Sequence, residues 1–270
     1  MINAEKLYKE KDNAIRSRYD QLFSKVKYTI WDGVFSPLDY AFNPFRVLFM
    51  NREPYDTEMD SYNVVHTIRK QIMRGEDFWS SQTWLKKNMR DMLAVFSLLK
   101  DRNIAHLSDC QIRKHINTFR KSDFLFEKAL FESAYINIKK SDGKNKSTPK
   151  DLLKYAQQGL EVLKAQISFF NPSVIVGGNI VDGILEKTNI EWGNNLFVES
   201  KYIKVFQLKI GNSIYPFIDS YHLSAPTYGS DKTSMDKYYV CLIEVLKAVA
   251  KQYPSYWEKR RCLPVFNQDA

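Results

Sequence analysis

Short, uniformly apolar runs alternate along this chain with longer stretches of helical period. Arg46-Val47-Leu48-Phe49-Met50 has the length and composition of a buried parallel strand and ends abruptly in the polar Asn51-Arg52-Glu53-Pro54-Tyr55-Asp56. Ser133-Ala134-Tyr135-Ile136-Asn137-Ile138 and Ser173-Val174-Ile175-Val176 predict two further strands, and the stretches near 202–208 and 214–219 predict two more. Between them lie helical patterns. Leu7, Tyr8, Ile15, Tyr19, Leu22, Phe23 and Val26 recur at helical spacing over 3–27. Similar patterns predict helices at about 60–74, 80–100, 109–121, 149–169, 179–187 and 232–252, the fourth of these opening on Pro149 where its first turn tolerates proline. The segment 31–37 has the turn chemistry of Asp-Gly and Ser-Pro, and 254–270 shows no period.

Strands alternating with helices predict an α/β fold with a mainly parallel central sheet. Ligands of such sheets bind outside the carboxyl ends of the strands. The polar clusters at 51–56, 137–146 and 222–229 all follow strands, so they are expected to converge on one edge. The chain has no internal repeat and no evident linker.

Composition narrows the class. With 270 residues, 44% hydrophobic and 26% charged, the chain has a globular composition, which excludes a disordered, collagen-like or disulfide-stapled chain. Forty Lys and Arg against 31 Asp and Glu give a formal charge of +9, which favours a polyanionic partner. The apolar runs are too short to span a bilayer, and Met1-Ile2-Asn3-Ala4-Glu5-Lys6 lacks a signal-peptide core. The expectation is therefore a cytoplasmic protein without a membrane partner; the oligomeric state stays open, with a monomer favoured. Cys110, Cys241 and Cys262 are isolated, without metal-ligand spacing, so no zinc site or iron–sulfur cluster is expected.

Four segments carry candidate chemistry. Asn51-Arg52-Glu53-Pro54-Tyr55-Asp56 follows the first apolar strand. Tyr135-Ile136-Asn137-Ile138-Lys139 closes another. Asn171-Pro172-Ser173-Val174-Ile175-Val176-Gly177-Gly178 forms a strand and a glycine turn. His222-Leu223-Ser224-Ala225-Pro226-Thr227 follows the last strand. In this order, each at a strand end, they resemble the motifs of the uracil-DNA glycosylase superfamily over roughly 45–250. The resemblance implies a three-layer α/β/α sandwich over 45–253; outside it, the helical pattern predicts an extension over 1–44 packed on that core, and 254–270 is left as a tail. It also implies hydrolysis of the N-glycosidic bond of uracil or another deaminated base in DNA, without cofactor or metal. Glu53 matches the carboxylate that orients water, with Asp56 as a rival acid. His222 matches the donor to the base oxygen that gathers negative charge, Asn137 the reader of the base edge, and Tyr55 the residue beside the uracil ring.

The residue types suit that chemistry. Breaking the bond builds positive charge on the sugar and negative charge on the base, so a carboxylate and a neutral imidazole donor each have a place. An asparagine amide offers the donor and acceptor that the O4/N3 edge of uracil requires. Ser224, Thr227 and the amides near Gly177-Gly178 are candidates to hold phosphate. Tyr228 is a candidate wedge in DNA. Phe78, Trp79 and Trp84 are candidates to stack on a flipped base. Lys139, Lys140, Lys144 and Lys146, in a lysine-rich loop beside the base reader, are candidates to follow the DNA backbone. Each type also has a plainer role: a helix-start acid, a strand-end histidine bonded to backbone, a loop asparagine, a solvated charge run.

The departures define the alternatives. Leu223 stands where the late motif has proline, Asn51 where the first motif has glycine, Asp56 where it has histidine, and the cysteines of the cluster-bearing branches are missing. They leave open a catalytically silent or repurposed DNA- or nucleobase-binding protein of the same fold. A third possibility is an unrelated α/β enzyme using the Gly177-Gly178 turn on a nucleotide, although that turn lacks the spacing of known phosphate loops.

Overall fold

The computed structural model of the chain describes residues 4–25, 29–52, 62–74, 83–101, 104–141, 147–193, 203–220 and 233–252. Their centre is a seven-stranded mixed sheet. In chain order its strands are β2 (Gly33–Val34), β3 (Val47–Asn51), β5 (Ser133–Asn137), β6 (Val174–Gly178), β7 (Glu191–Trp192), β8 (Lys204–Ile210) and β9 (Ser213–Ser220). Across the sheet they run β2-β5-β3-β6-β9-β8-β7. The middle four, β5-β3-β6-β9, are parallel, and the outer strands are antiparallel. β1 (Ile30–Trp31) and β4 (Tyr62–Asn63) form a separate parallel pair.

The apolar runs become the central strands because both sheet faces are covered. Val47, Phe49, Val174, Val176 and Ile218 point into one core layer, against α3 (Val64–Met73), α4 (Thr83–Asp101), α5 (Asp109–Arg120), α6 (Asp123–Phe131) and α9 (Thr233–Gln252). Leu48, Met50, Ala134, Ile136, Ile175 and Phe217 point into the other, against α2 (Pro37–Phe42), α7 (Pro149–Gln158) and α8 (Leu160–Phe170). The molecule is thus an α/β sandwich with helices on both faces of its sheet. Among the described residues no helix is long and apolar enough to cross a membrane.

Several expectations change. The period over 149–169 is two helices, broken at Gly159, where a Cβ would stand only 3.0 Å from the Tyr155 carbonyl oxygen. The expected helix at 179–187 is a series of turns ending in a single 3₁₀ turn, Leu185–Lys187. The last two long strands form an antiparallel hairpin. The N-terminal segment does more than pack on the core. Helix α1 (Ala4–Leu22) lies on α8, and the chain after it supplies β2, an edge strand of the central sheet. The tail 254–270 lies outside the described residues.

Candidate functional site

Because β5, β3, β6 and β9 are parallel, their carboxyl ends share one edge. Asn51 is the register partner of Asn137, and Gly178 of Ser220. Alternation along each strand fixes the side chains. Asn51 shares a face with Val47 and Phe49, Asn137 with Tyr135, and Ser220 with Ile218, all part of or packed on the α3–α6 core layer. A polar row, Asn137, Asn51, Gly178 and Ser220, therefore ends that apolar layer at the carboxyl edge. The connection after β3 runs to β5 on one side, and the one after β5 crosses back past β3 to β6 on the other, so Asn51 sits beside the topological switch point.

The two asparagines are buried, Asn137 at 0% and Asn51 at 1% exposure. Neither amide nitrogen nor amide oxygen in either residue has a hydrogen-bond partner among the described residues. Leaving a buried polar group unpaired costs about 1–3 kcal/mol. Two adjacent side chains here carry four such atoms.

The backbone of Asn137, by contrast, is held on both sides. Its N–H donates to Asp32 Oδ2 at 2.6 Å, and its carbonyl accepts from Lys140 Nζ at 3.0 Å. Lys140 Nζ also lies 2.7 Å from both carboxylate oxygens of Asp32, and Gln166 Nε2 donates to that carboxylate at 3.2 Å. The pair is buried, at 2% exposure for Lys140 and 0% for Asp32. Burial pushes the Asp32 carboxyl up and the Lys140 ammonium down, and the attraction between them opposes both shifts.

The N-terminal segment builds this clamp. Gly33 adopts φ +148°, a conformation that favours glycine, as the chain passes from β1 into β2, and its missing side chain leaves room for the Tyr8 hydroxyl. That hydroxyl accepts from Val34 N at 3.3 Å. Tyr19 accepts from Lys140 N at 3.1 Å, and Ile30 N donates to Lys140 O at 2.7 Å. The Trp31 ring lies under the ammonium, 5.0 Å from its centroid.

The expectation that Lys139 and Lys140 follow a DNA backbone is therefore corrected. Lys140 is an internal ion-pair partner. Lys139 is 8% exposed, donates to Ser147 Oγ at 2.9 Å and stacks on Tyr155. The amides after the glycine turn are also occupied. Ile180 N and Val181 N donate to the two oxygens of Asp219 at 3.0 and 3.1 Å, so a carboxylate of this chain fills the place proposed for phosphate. Gly177 is small because the Phe217 ring and the Asp219 carboxylate pack where its Cβ would stand. Burial raises the Asp219 carboxyl to about 6. Arg52 reaches across the edge and donates to the Asn179 carbonyl at 2.8 Å.

Glu53, Tyr55, Asp56, Lys144, Lys146, His222, Ser224, Thr227 and Tyr228 lie outside the described residues, as do Phe78 and Trp79 and the side chain of Trp84. In sequence, Glu53 directly follows Arg52 and His222 comes just after Ser220, so both belong to segments leaving this edge. Sequence reasoning missed Asp32, whose Trp-Asp-Gly setting signalled only a turn, and treated Asn51 only as a departure. Comparison with family models, with curated proteins and with solved structures gives no match to this chain.

Proposed function

We propose that this chain is a DNA glycosylase that hydrolyses the N-glycosidic bond of uracil or another deaminated base, with Asn137 reading the base. The observation that carries the reading is the Asn137 side chain. It is fully buried at the carboxyl edge, unpartnered among the described residues, and mounted on a backbone that Asp32 and Lys140 hold from both sides. A flipped base would supply the missing partners, and its rivals would leave them unpaired.

In this reading Glu53 orients the attacking water and steadies the sugar cation, with Asp56 as the alternative acid. His222 donates to the departing base oxygen. Tyr55 lies beside the ring, Ser224 and Thr227 hold phosphate, and Tyr228 enters the duplex. Segments carrying the acid and the histidine leave β3 and β9, on either side of β6 and on the same edge as Asn137, which supports assigning them to one reaction.

The test is abasic-site formation. Single- and double-stranded oligonucleotides carrying one uracil, hypoxanthine or xanthine are incubated with purified protein and cleaved with alkali. Scission that disappears in Glu53→Gln and His222→Ala is the expected result. Folded protein that binds these oligonucleotides without forming abasic sites would overturn the reading in favour of a silent DNA-binding protein.

A further inference from the structure

The site presents two amides where the base reader alone needs one. Asn51 and Asn137 are register partners on adjacent parallel strands, which lie about 4.8 Å apart, and both project on the same face. That spacing is close to the width of one planar heterocycle edge. The backbone ladder continues past them, from Ile138 N to Asn51 O at 2.9 Å and from Lys139 N to Arg52 O at 3.0 Å, so the two side chains are carried on a fixed frame. A lone unpaired amide has a ready structural explanation in a local defect. Two side by side, buried and with all four polar atoms unpartnered among the described residues, form a matched set.

We propose that Asn51 is a second specificity-determining residue, which with Asn137 forms a two-amide reader for an imide edge: carbonyl, N–H, carbonyl. The inference rests on the base-binding reading above. Asn137 uses its oxygen for the ring N–H and its nitrogen for one carbonyl. Asn51 gives its nitrogen to the second carbonyl. Uracil and xanthine present this edge. Hypoxanthine presents one carbonyl and one N–H, and would leave the Asn51 amide unpaired. Thymine shares the edge with uracil, so rejection of its methyl group belongs to other residues.

The experiment measures equilibrium binding of single-stranded oligonucleotides carrying the 2′-fluoro nucleotide of uracil, xanthine or hypoxanthine, whose glycosidic bond resists hydrolysis, to wild type, Asn51→Leu and Asn51→Asp, with urea midpoints for each protein. Asn51→Leu keeps the approximate shape and removes both polar atoms; Asn51→Asp keeps the shape and replaces the donor. The expected result is a loss of about tenfold or more in uracil and xanthine affinity, little change for hypoxanthine, and an unchanged or higher midpoint for Asn51→Leu. A purely structural Asn51 would instead lower the midpoint and leave the preference among bases intact. Unchanged preference in both variants, with wild type still favouring uracil, overturns the inference and leaves the glycosylase reading standing. Wild type that binds all three oligonucleotides no better than an undamaged one overturns both.

Discussion

Lys140 shows how a single residue's setting reverses its meaning. As part of a lysine run it suggests a flexible cation at the surface. In the fold its ammonium is enclosed between Asp32, the Asn137 carbonyl and the Trp31 ring. Removing one partner of such a pair leaves a buried uncompensated charge and costs about 3–5 kcal/mol. Lys140→Met is therefore expected to lower unfolding free energy by about that amount, measured by urea denaturation, with Asp32→Asn in the same chain restoring much of it. A surface lysine would give a change within about 0.5 kcal/mol and a smaller salt slope of DNA binding. Gly33 is constrained by its neighbours as strictly. Its φ of +148° and the Tyr8 hydroxyl beside it leave no place for a Cβ. Gly33→Ala is expected to destabilise by about 1–3 kcal/mol in the same measurement, and to loosen the turn that carries Asp32.

At the scale of elements, legibility follows range. The runs that became β3, β5, β6 and β9 were evident because a strand buried on both faces is apolar at nearly every position, whatever its partners. β2 and β7 have two residues each, too few to show a period. Helix α6 reads Asp-Phe-Leu-Phe-Glu-Lys-Ala-Leu-Phe, with apolar residues on most of its circumference, so no stripe marks it. The turn after β6 was misread as a helix because its amides are satisfied by Asp219, which is distant in sequence. The convergence of strand ends was legible from order alone. The Asn51–Asn137 pairing was not, because register is set by packing on both faces. The Asp219 contact makes a prediction at this scale. Asn offers one carbonyl oxygen where the carboxylate offers two acceptors, so Asp219→Asn turns its amide NH2, a donor, toward one of the two backbone N–H groups. A loss of about 1–3 kcal/mol is expected at pH 8, where the wild-type carboxyl is ionised. If urea midpoints of the two proteins coincide there, the carboxylate does not hold the turn.

At the scale of the whole molecule, the N-terminal segment, the sheet edge and α8 meet in one buried polar cluster, and that cluster sets a pH dependence. The Asp12 carboxylate accepts from Trp31 Nε1 at 3.0 and 3.1 Å, with Asp32 and Lys140 close behind. Burial raises its pKa to about 7, against 3.8 in an open chain; the Trp31 hydrogen bond, Lys140 and Arg16 pull it back, and Asp32 pushes it further up. Between these two values the folded chain keeps a proton that the unfolded chain has released. The stabilisation from this group is therefore full below about pH 4 and is lost as pH rises through about 7. Asp12→Asn keeps an acceptor for the indole and removes the titration. Relative to wild type it is expected to gain stability from pH 4 to pH 8, by an amount on the order of 3 kcal/mol. Asp219 titrates with the same sign, but it is present in both proteins and cancels in the difference. Urea midpoints of the two proteins across that range decide the matter. Parallel profiles would mean that Asp12 ionises at its ordinary pKa. Profiles that diverge upward for Asp12→Asn would mean that ionising Asp12 weakens the N-terminal docking. Because the same cluster holds the Asn137 backbone, the placement of the Asn137 side chain at the carboxyl end of β5 would then depend on the protonation of Asp12 in helix α1.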